Sequence, residues 1–352
     1  MIKYKVGYNF DDSIVKHIES LNKASEKAKI TSVYASAHSD AWLSARPAHR
    51  LPFVEYNELK YHINMLHSIG VEFHYTLNAT YIGSKKDILS RLNDIICTIK
   101  RLEEANVDAF IISHPLIMDI VAQNSSIPIT VSSAANIYSA NQIGYLSEKF
   151  RCVSVCMAPN FNRDIAKLEK MQANIKPINC TLELIVNELC GLGFNSGLSS
   201  TPCIYRESCF DFHSQNTTKQ DELLLGKYPQ GICISNRDLF DDTLWAKLRI
   251  IRPEDIMLYT SIGIENFKIT GRTAKTDDLL RVISAYMKFD FDGDLSELWY
   301  MDGKHKTIKN KSLSGILDYW FDNRSHCCDQ EMCGVSCNYC NQFVKSHQHH
   351  SK

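Results

Sequence analysis

Four cysteines near the middle of the chain have the residue type and spacing that suit metal binding. Cys190, Cys203, Cys209 and Cys233 fall where neither strand nor helix periodicity is visible, and residues 191–202 between the first two are rich in Gly and Ser. Four thiolates held by irregular loops are the ligand set of a [4Fe–4S] cluster. The sequence therefore predicts an iron–sulfur site on these four residues, with buried free thiols as the alternative.

Other cysteines leave part of this assignment open. Zinc would accept the same thiolates, but structural zinc sites favour two short Cys-x₂₋₄-Cys knuckles, which the central cysteines lack. Cys180, on a predicted strand, is an alternative to Cys209 as the fourth ligand. Cys97, Cys152 and Cys156 fall on apolar faces of predicted elements, where we expect them to pack as small buried side chains.

A second cysteine group closes the chain. Cys333, Cys337 and Cys340 form a Cys-x₃-Cys-x₂-Cys pattern, and Cys328 precedes them. The pattern is that of radical S-adenosylmethionine enzymes, in which it follows the first barrel strand, whereas here it follows the last predicted strand. We therefore do not predict radical chemistry. The four residues indicate a second cluster or a zinc site, with an unliganded tail as the alternative.

The elements that must position these groups alternate regularly. Short β-branched or aromatic runs alternate with amphipathic helical stretches over residues 3–189, and the alternation resumes once after a break of about 65 residues. Eight βα units are typical of a (β/α)₈ barrel, and no Gly-x-Gly-x-x-Gly supports an open dinucleotide-binding sheet. The predicted strands are Lys3–Tyr8, Ile30–Ala35, Glu72–Leu77, Ala109–Ser113, Pro128–Ser132, Val153–Ala158, Lys176–Glu183 and Asn266–Gly271.

This pattern defines the predicted fold class and domains. The fold is α/β: a (β/α)₈ TIM-like barrel over residues 1–300, with a cysteine-rich insertion at 184–250 after strand 7. Residues 301–352 form a small cysteine-rich C-terminal extension.

Barrel chemistry gathers where strands end and the following loops begin. Two cations in the segment Lys268–Arg272 could hold a carboxylate or a phosphate. No Gly-x-Ser-x-Gly or His-Glu-x-x-His motif is present, so the sequence identifies no nucleophile–base pair and no catalytic residue. The predicted substrate-binding residues at strand ends are Arg46, Asn78, His114, Arg163, Lys268 and Arg272.

Charge and hydropathy limit the partners and the compartment. The formal net charge of −1 over 352 residues provides no field that attracts a polyanion, so charge does not support a nucleic-acid substrate. No run approaches the roughly 18 apolar residues of a spanning helix, and no secretory signal is visible at the start. We expect a cytoplasmic protein, in which cysteines are more often metal ligands than disulfides.

Several segments together resemble the collagenase-like peptidases, peptidase family U32. The resemblance rests on residues 183–190 followed by Cys203-Ile-Tyr-Arg and Cys233-Ile-Ser, on Pro159-Asn-Phe-Asn-Arg163-Asp, and on residues 251–256 followed by Phe267–Arg272. It covers most of residues 1–300. The His-Gly pair that precedes the family's first cysteine is absent, since residues 187–189 are Asn-Glu-Leu, and this leaves the substrate and the subgroup open.

The resemblance implies a barrel that holds a [4Fe–4S] cluster on four cysteines. The members of peptidase family U32 include proteins named as proteases and also oxygen-independent hydroxylases. The leading hypothesis is an iron–sulfur enzyme that hydroxylates or otherwise modifies an organic substrate without dioxygen. The alternatives are a peptidase and a non-catalytic iron–sulfur accessory subunit. The partners expected are a small-molecule or peptide substrate and a protein partner such as a related subunit or an electron donor.

Overall fold

The backbone forms a closed barrel of eight parallel strands. The computed structural model describes residues 1–188, 206–215, 218–220, 242–300, 308–323, 328 and 336–348. Each strand pairs with the next along the chain, and the eighth pairs with the first. The strands are β1 (Ile2–Gly7), β2 (Ala28–Ala35), β3 (Glu72–Leu77), β4 (Ala109–Ile112), β5 (Ile129–Val131), β6 (Cys152–Met157), β7 (Thr181–Ile185) and β8 (Asn266–Ile269).

Helices follow the strands and cover the outside of the barrel. The (β/α)₈ TIM-like fold predicted from the sequence is therefore confirmed. The described helices are α1 (Asp12–Ala24), α2 (Tyr56–Ser68), α3 (Lys85–Ser90), α4 (Leu92–Glu104), α5 (Pro115–Asn124), α6 (Ala140–Phe150), α7 (Ile165–Ile175), α8 (Arg206–Ser214), α9 (Asp242–Lys247), α10 (Ile256–Thr260), α11 (Thr276–Lys288), α12 (Asp318–Asp322) and α13 (Tyr339–Gln348).

Some local predictions differ from the structure. The predicted strand at 176–183 is displaced, because α7 continues to Ile175 and β7 begins only at Thr181. The helical stretch after Ser84 divides at Arg91 into α3 and α4. Cys97 is exposed on α4, so its predicted burial is wrong, whereas Cys152 and Cys156 are buried as expected.

The main hydrophobic core lies between the strands and the surrounding helices. Outward-facing strand residues such as Val33, Phe73 and Phe267 are fully buried against apolar faces of α1, α2 and α11. The barrel interior is more polar, since the inward-facing Lys5, Glu183 and other charged groups lie inside it. Burying polar groups is costly unless they are paired, so the interior depends on specific partners.

The described part of the C-terminal extension packs on the barrel. Apolar residues of 308–323, including Leu313 and Trp320, join the same buried cluster as the barrel strands. Arg252 anchors this contact: its Nε and Nη2 donate to Asp255 at 2.8 and 2.6 Å, and its Nη1 donates to the carbonyl of Asn310 at 3.0 Å. In the described part of the chain, no helix is long and apolar enough to cross a membrane.

Candidate active site at the barrel mouth

A cavity of about 490 Å³ opens at the carboxyl ends of the strands. This is the end at which TIM-barrel enzymes hold their active sites, because the loops that follow all eight strands meet there. The described lining residues are Tyr34, Ala45, Arg46, Thr76, Asn78, Ser132, Ser133, Ala134, Ile185, Glu188, Phe210, Lys268, Thr270, Gly271, Arg272, Thr273, Ala274, Lys275, Asp278, Trp299 and Tyr300.

Arg272, which follows β8, is a buried cation of the lining, with 7% of its surface exposed. Its Nη1 donates to the hydroxyls of Ser36, at 2.9 Å, and Thr76, and its Nη2 donates to the hydroxyl of Ser44 at 3.0 Å. Burial, together with the nearby charge of Arg46, lowers the pKa of Arg272 to about 9. The guanidinium is thus held in place by neutral hydroxyl groups.

Close backbone contact fixes the position of Arg272. A Cβ atom at Gly7, the last residue of β1, would lie 2.4 Å from the backbone nitrogen of Arg272. Gly271 has a φ of +127°, and a Cβ there would lie 2.4 Å from the hydroxyl of Tyr300. Glycine at both positions lets the chain turn into the cavity directly after β8.

The loop after β2 carries Arg46 to the cavity. Asn78 holds this loop, because its Oδ1 accepts a hydrogen bond from the backbone nitrogen of Ala45 at 3.1 Å. Deeper in the loop, buried Asp40 accepts hydrogen bonds from Tyr75 and, at 2.6 Å, from Arg101. The loop that presents Arg46 is therefore anchored to β3 and α4.

Lys268 forms part of the floor and belongs to a buried ionic group. Its Nζ lies 4.1 Å from the centre of the Tyr34 ring, a distance that favours a cation over the aromatic face. Below it, Lys5 and Glu183 form a buried ion pair at 2.8 Å. Burial alone would raise the pKa of Glu183, but the charges of Lys5 and Lys268 hold it below its usual value.

The described lining carries more positive than negative charge. Four cations, Arg46, Lys268, Arg272 and Lys275, face two carboxylates, Glu188 and Asp278. Beneath them, Lys5 and Glu183 compensate each other. The cavity is therefore suited to an anionic ligand.

Two predicted substrate-binding residues lie away from this cavity. His114 caps α5, where its Nδ1 accepts a hydrogen bond from the backbone nitrogen of Leu116 at 3.2 Å. Arg163 is buried: its Nη1 donates to the carbonyl of Ala246 at 2.7 Å, and its guanidinium lies over the ring of Trp320. Neither is among the described lining residues, whereas Arg46, Asn78, Lys268 and Arg272 are.

Several site residues escaped prediction. The hydroxyls of Ser36, Ser44 and Thr76 hold Arg272, and Glu183 and Lys5 form the ion pair beneath Lys268. A charged residue inside a strand, as Lys5 is in β1 and Glu183 is in β7, was the available signal. The serines had no comparable signal, since loops after strands are rich in serine.

The predicted cluster ligands fall mainly outside the described residues. This applies to Cys190, Cys203 and Cys233, and to the side chain of Cys209, whose backbone belongs to α8. Cys180 lies just before β7, at the opposite end of that strand from the cavity, and burial raises the pKa of its thiol to about 11.

The terminal cysteines are partly described. The sulfur of Cys328 accepts a hydrogen bond from Arg249, and that of Cys340 accepts one from Arg163 at 3.8 Å. Cys333 lies outside the described residues, and Cys337 is partly exposed. Within the ranges that the structure describes, no three His, Cys, Asp or Glu side chains form a group that could hold a metal ion.

Comparisons with known proteins place the chain in a family. The model of peptidase family U32 matches residues 16–190. An uncharacterized protease of Methanocaldococcus jannaschii is 25% identical over 342 residues, which span 94% of this chain and 93% of that protein.

Solved structures show weaker likeness. A U32 peptidase has a TM-score of 0.44 and 11% identity, over 62% of this chain and 78% of that one. A complex of a GH113 β-1,4-mannanase has a TM-score of 0.39 over 81% of this chain and 98% of that one. These structural scores add nothing to the assignment, which rests on the sequence matches. By those matches, the chain belongs to peptidase family U32.

Proposed function

We propose that this protein is an iron–sulfur enzyme that modifies an organic substrate in the barrel-mouth cavity without dioxygen, by hydroxylation or a related reaction. The observation that carries the proposal is the relation between the cavity and the cysteine-rich segment. Glu188 and Phe210 both line the cavity, and the segment between them contains Cys190, Cys203 and Cys209.

Position in the sequence supports a cluster beside the substrate. Cys190 follows Glu188 by two residues, and Cys209 directly precedes Phe210. Asn187 fixes the start of this segment: its Oδ1 accepts a hydrogen bond from the backbone nitrogen of Thr270 at 2.7 Å, and its Nδ2 donates to the carbonyl of Leu298 at 2.8 Å. The described neighbours of these cysteines therefore fit a cluster site at the cavity rim.

A cluster bound on Cys190, Cys203, Cys209 and Cys233 would supply single-electron chemistry at this rim. The described residues would do the rest. Arg272 and Arg46 bind and orient an anionic group of the substrate, and Lys268 places an ammonium beside it. The aromatic side chains of the lining, such as Trp299, exclude water from one wall.

Iron and sulfide analysis tests the proposal. The wild-type protein, purified without oxygen, should be brown and contain at least about four iron and four sulfide ions per chain. Cys190→Ala and Cys203→Ala should lose most of this iron. Cys97→Ala, which removes an exposed thiol on α4, should keep it.

Two results would overturn the proposal. One is a colourless, iron-free wild-type protein after anaerobic purification and reconstitution. The other is equal iron content in Cys190→Ala and Cys97→Ala while circular dichroism shows both to be folded. Peptide cleavage by an iron-free preparation would instead favour the peptidase alternative, although the described cavity lining contains no histidine or cysteine that could form a nucleophile–base pair.

A further inference from the structure

The hydrogen bonds of Arg272 leave one edge of its guanidinium open. A guanidinium has five N–H donors. Both Nη1 hydrogens are used by Ser36 and Thr76, and one Nη2 hydrogen is used by Ser44. Among the described residues, nothing accepts a hydrogen bond from Nε or from the second Nη2 hydrogen. These two donors form the side-on edge of the guanidinium, which matches two oxygens of one carboxylate.

A second arginine of the same chain, Arg252, shows how a carboxylate accepts hydrogen bonds from this edge of a guanidinium. Arg252 is also buried, and its Nε and Nη2 donate to the two oxygens of Asp255 at 2.8 and 2.6 Å. Its remaining nitrogen, Nη1, donates to a backbone carbonyl. Arg272 has the corresponding Nη1 contacts but no carboxylate among the described residues. The difference is that Arg252 lies within the packed core, whereas Arg272 lines the cavity.

Electrostatics indicates that the missing partner is an anion. Hydroxyl groups orient a guanidinium but do not neutralise it, and a buried charge without a counter-ion is costly. Arg46 increases this cost, because it adds a second positive charge to the same cavity. An anionic ligand would relieve both effects, and the position of Arg272 at the floor would fix the ligand's orientation.

We propose that Arg272 binds a carboxylate of the substrate through Nε–H and Nη2–H, in the geometry that Arg252 adopts with Asp255, so that the substrate is an organic acid. The inference takes the cavity as the substrate site of the enzyme proposed above. A planar carboxylate fits the open edge with both oxygens in the guanidinium plane. Inorganic phosphate offers similar oxygens, and the test separates the two.

Binding of simple probes tests the inference without knowledge of the substrate. Acetate, succinate, inorganic phosphate and the uncharged succinamide are titrated into the anaerobically purified protein by calorimetry at fixed ionic strength. The carboxylates should bind, and succinamide should not. Arg272→Lys keeps the charge but loses the two-bond edge, so it should weaken succinate binding about tenfold or more. Arg151→Lys, at an exposed residue that directly precedes β6 and so lies at the end of the barrel opposite the cavity, should bind like the wild type.

A second measurement covers the case in which Arg272→Lys does not fold. In the wild-type protein labelled with ¹⁵N-arginine, succinate should shift one buried Nε–H resonance and leave that of Arg252 unchanged. The inference is overturned if no carboxylate binds, if phosphate binds and the carboxylates do not, or if Arg272→Lys binds succinate as well as Arg151→Lys does.

Iron content, measured on the same preparations, separates this inference from the proposed function. If Arg272→Lys loses succinate binding but keeps its iron, the result supports the carboxylate site and leaves the cluster proposal intact. Wild-type protein that binds succinate but remains iron-free after anaerobic purification and reconstitution would contradict the cluster proposal while supporting the role of Arg272.

Discussion

The buried carboxylate of Glu183 is expected to be the most sensitive charged group of the barrel interior. It lies 2.8 Å from the ammonium of Lys5, with both side chains almost fully buried. Lys5 stands opposite Lys268 in the register of β1 and β8, and both lysines lower the pKa of Glu183. Glu183→Gln therefore leaves two ammonium groups on adjacent strands without their shared carboxylate.

The geometry gives the scale of the effect. At 2.8 Å, an effective dielectric constant of about 20 gives a Coulomb energy of roughly 6 kcal/mol for the Lys5–Glu183 pair. Desolvation offsets part of this, and removing one partner of a buried pair typically costs about 3–5 kcal/mol. We expect Glu183→Gln to lower the free energy of unfolding by this amount. Lys5→Met should cost less, because Glu183 then keeps the charge of Lys268.

Urea denaturation followed by circular dichroism measures these differences. Glu19→Gln is the matched control, because Glu19 pairs with Lys23 at a similar distance of 2.6 Å, but on the exposed surface of α1. It should change the free energy of unfolding by less than about 1 kcal/mol. The reasoning is refuted if Glu183→Gln costs no more than Glu19→Gln, or if Lys5→Met is the more damaging of the two interior variants.

Two further predictions concern the same barrel. Burial, together with the charge of Lys5, lowers the pKa of His74. The folded state therefore binds fewer protons than the unfolded state at mildly acidic pH. As a result, the free energy of unfolding should fall as the pH drops below about 6.5. Urea midpoints between pH 7 and 5 should fall less steeply for His74→Gln, and an unchanged slope would contradict this. Gly7→Ala should cost about 1–3 kcal/mol and weaken succinate binding, because its Cβ would meet the backbone of Arg272 at 2.4 Å. In Gly144→Ala the new Cβ meets only a side-chain atom at 3.5 Å and lies inside α6, where Ala favours the helix more than Gly does. This control should therefore be at least as stable as the wild type in thermal unfolding and should bind succinate equally well in calorimetry.

The sequence predicted the barrel well because its signal is local and repeated. Each strand is a short apolar run, each helix has an apolar face, and start signals such as Ser84 lie where the structure has a capping box. The same regularity placed Lys268 and Arg272 at the end of β8. Residues that directly follow a strand enter the barrel mouth whenever the backbone turns inward, which Gly271 allows here.

Arg163 shows where that reasoning stops. It also follows a strand, yet its guanidinium points to Ala246 and Trp320, residues that are distant in sequence. No local pattern distinguishes an arginine that faces the mouth from one that packs against the C-terminal extension. The choice depends on which partner lies nearby after the chain has folded.

The sequence by itself determined the order of the eight βα units, the family, and the cations that follow β8. Only the tertiary structure decided that Ser36, Ser44 and Thr76 surround Arg272, and that Lys5 and Glu183 pair beneath Lys268. The physical reason is the range of the interactions. Periodicity and capping act over a few neighbouring residues, whereas hydrogen bonds and ion pairs inside a closed barrel join strands that are far apart in the chain.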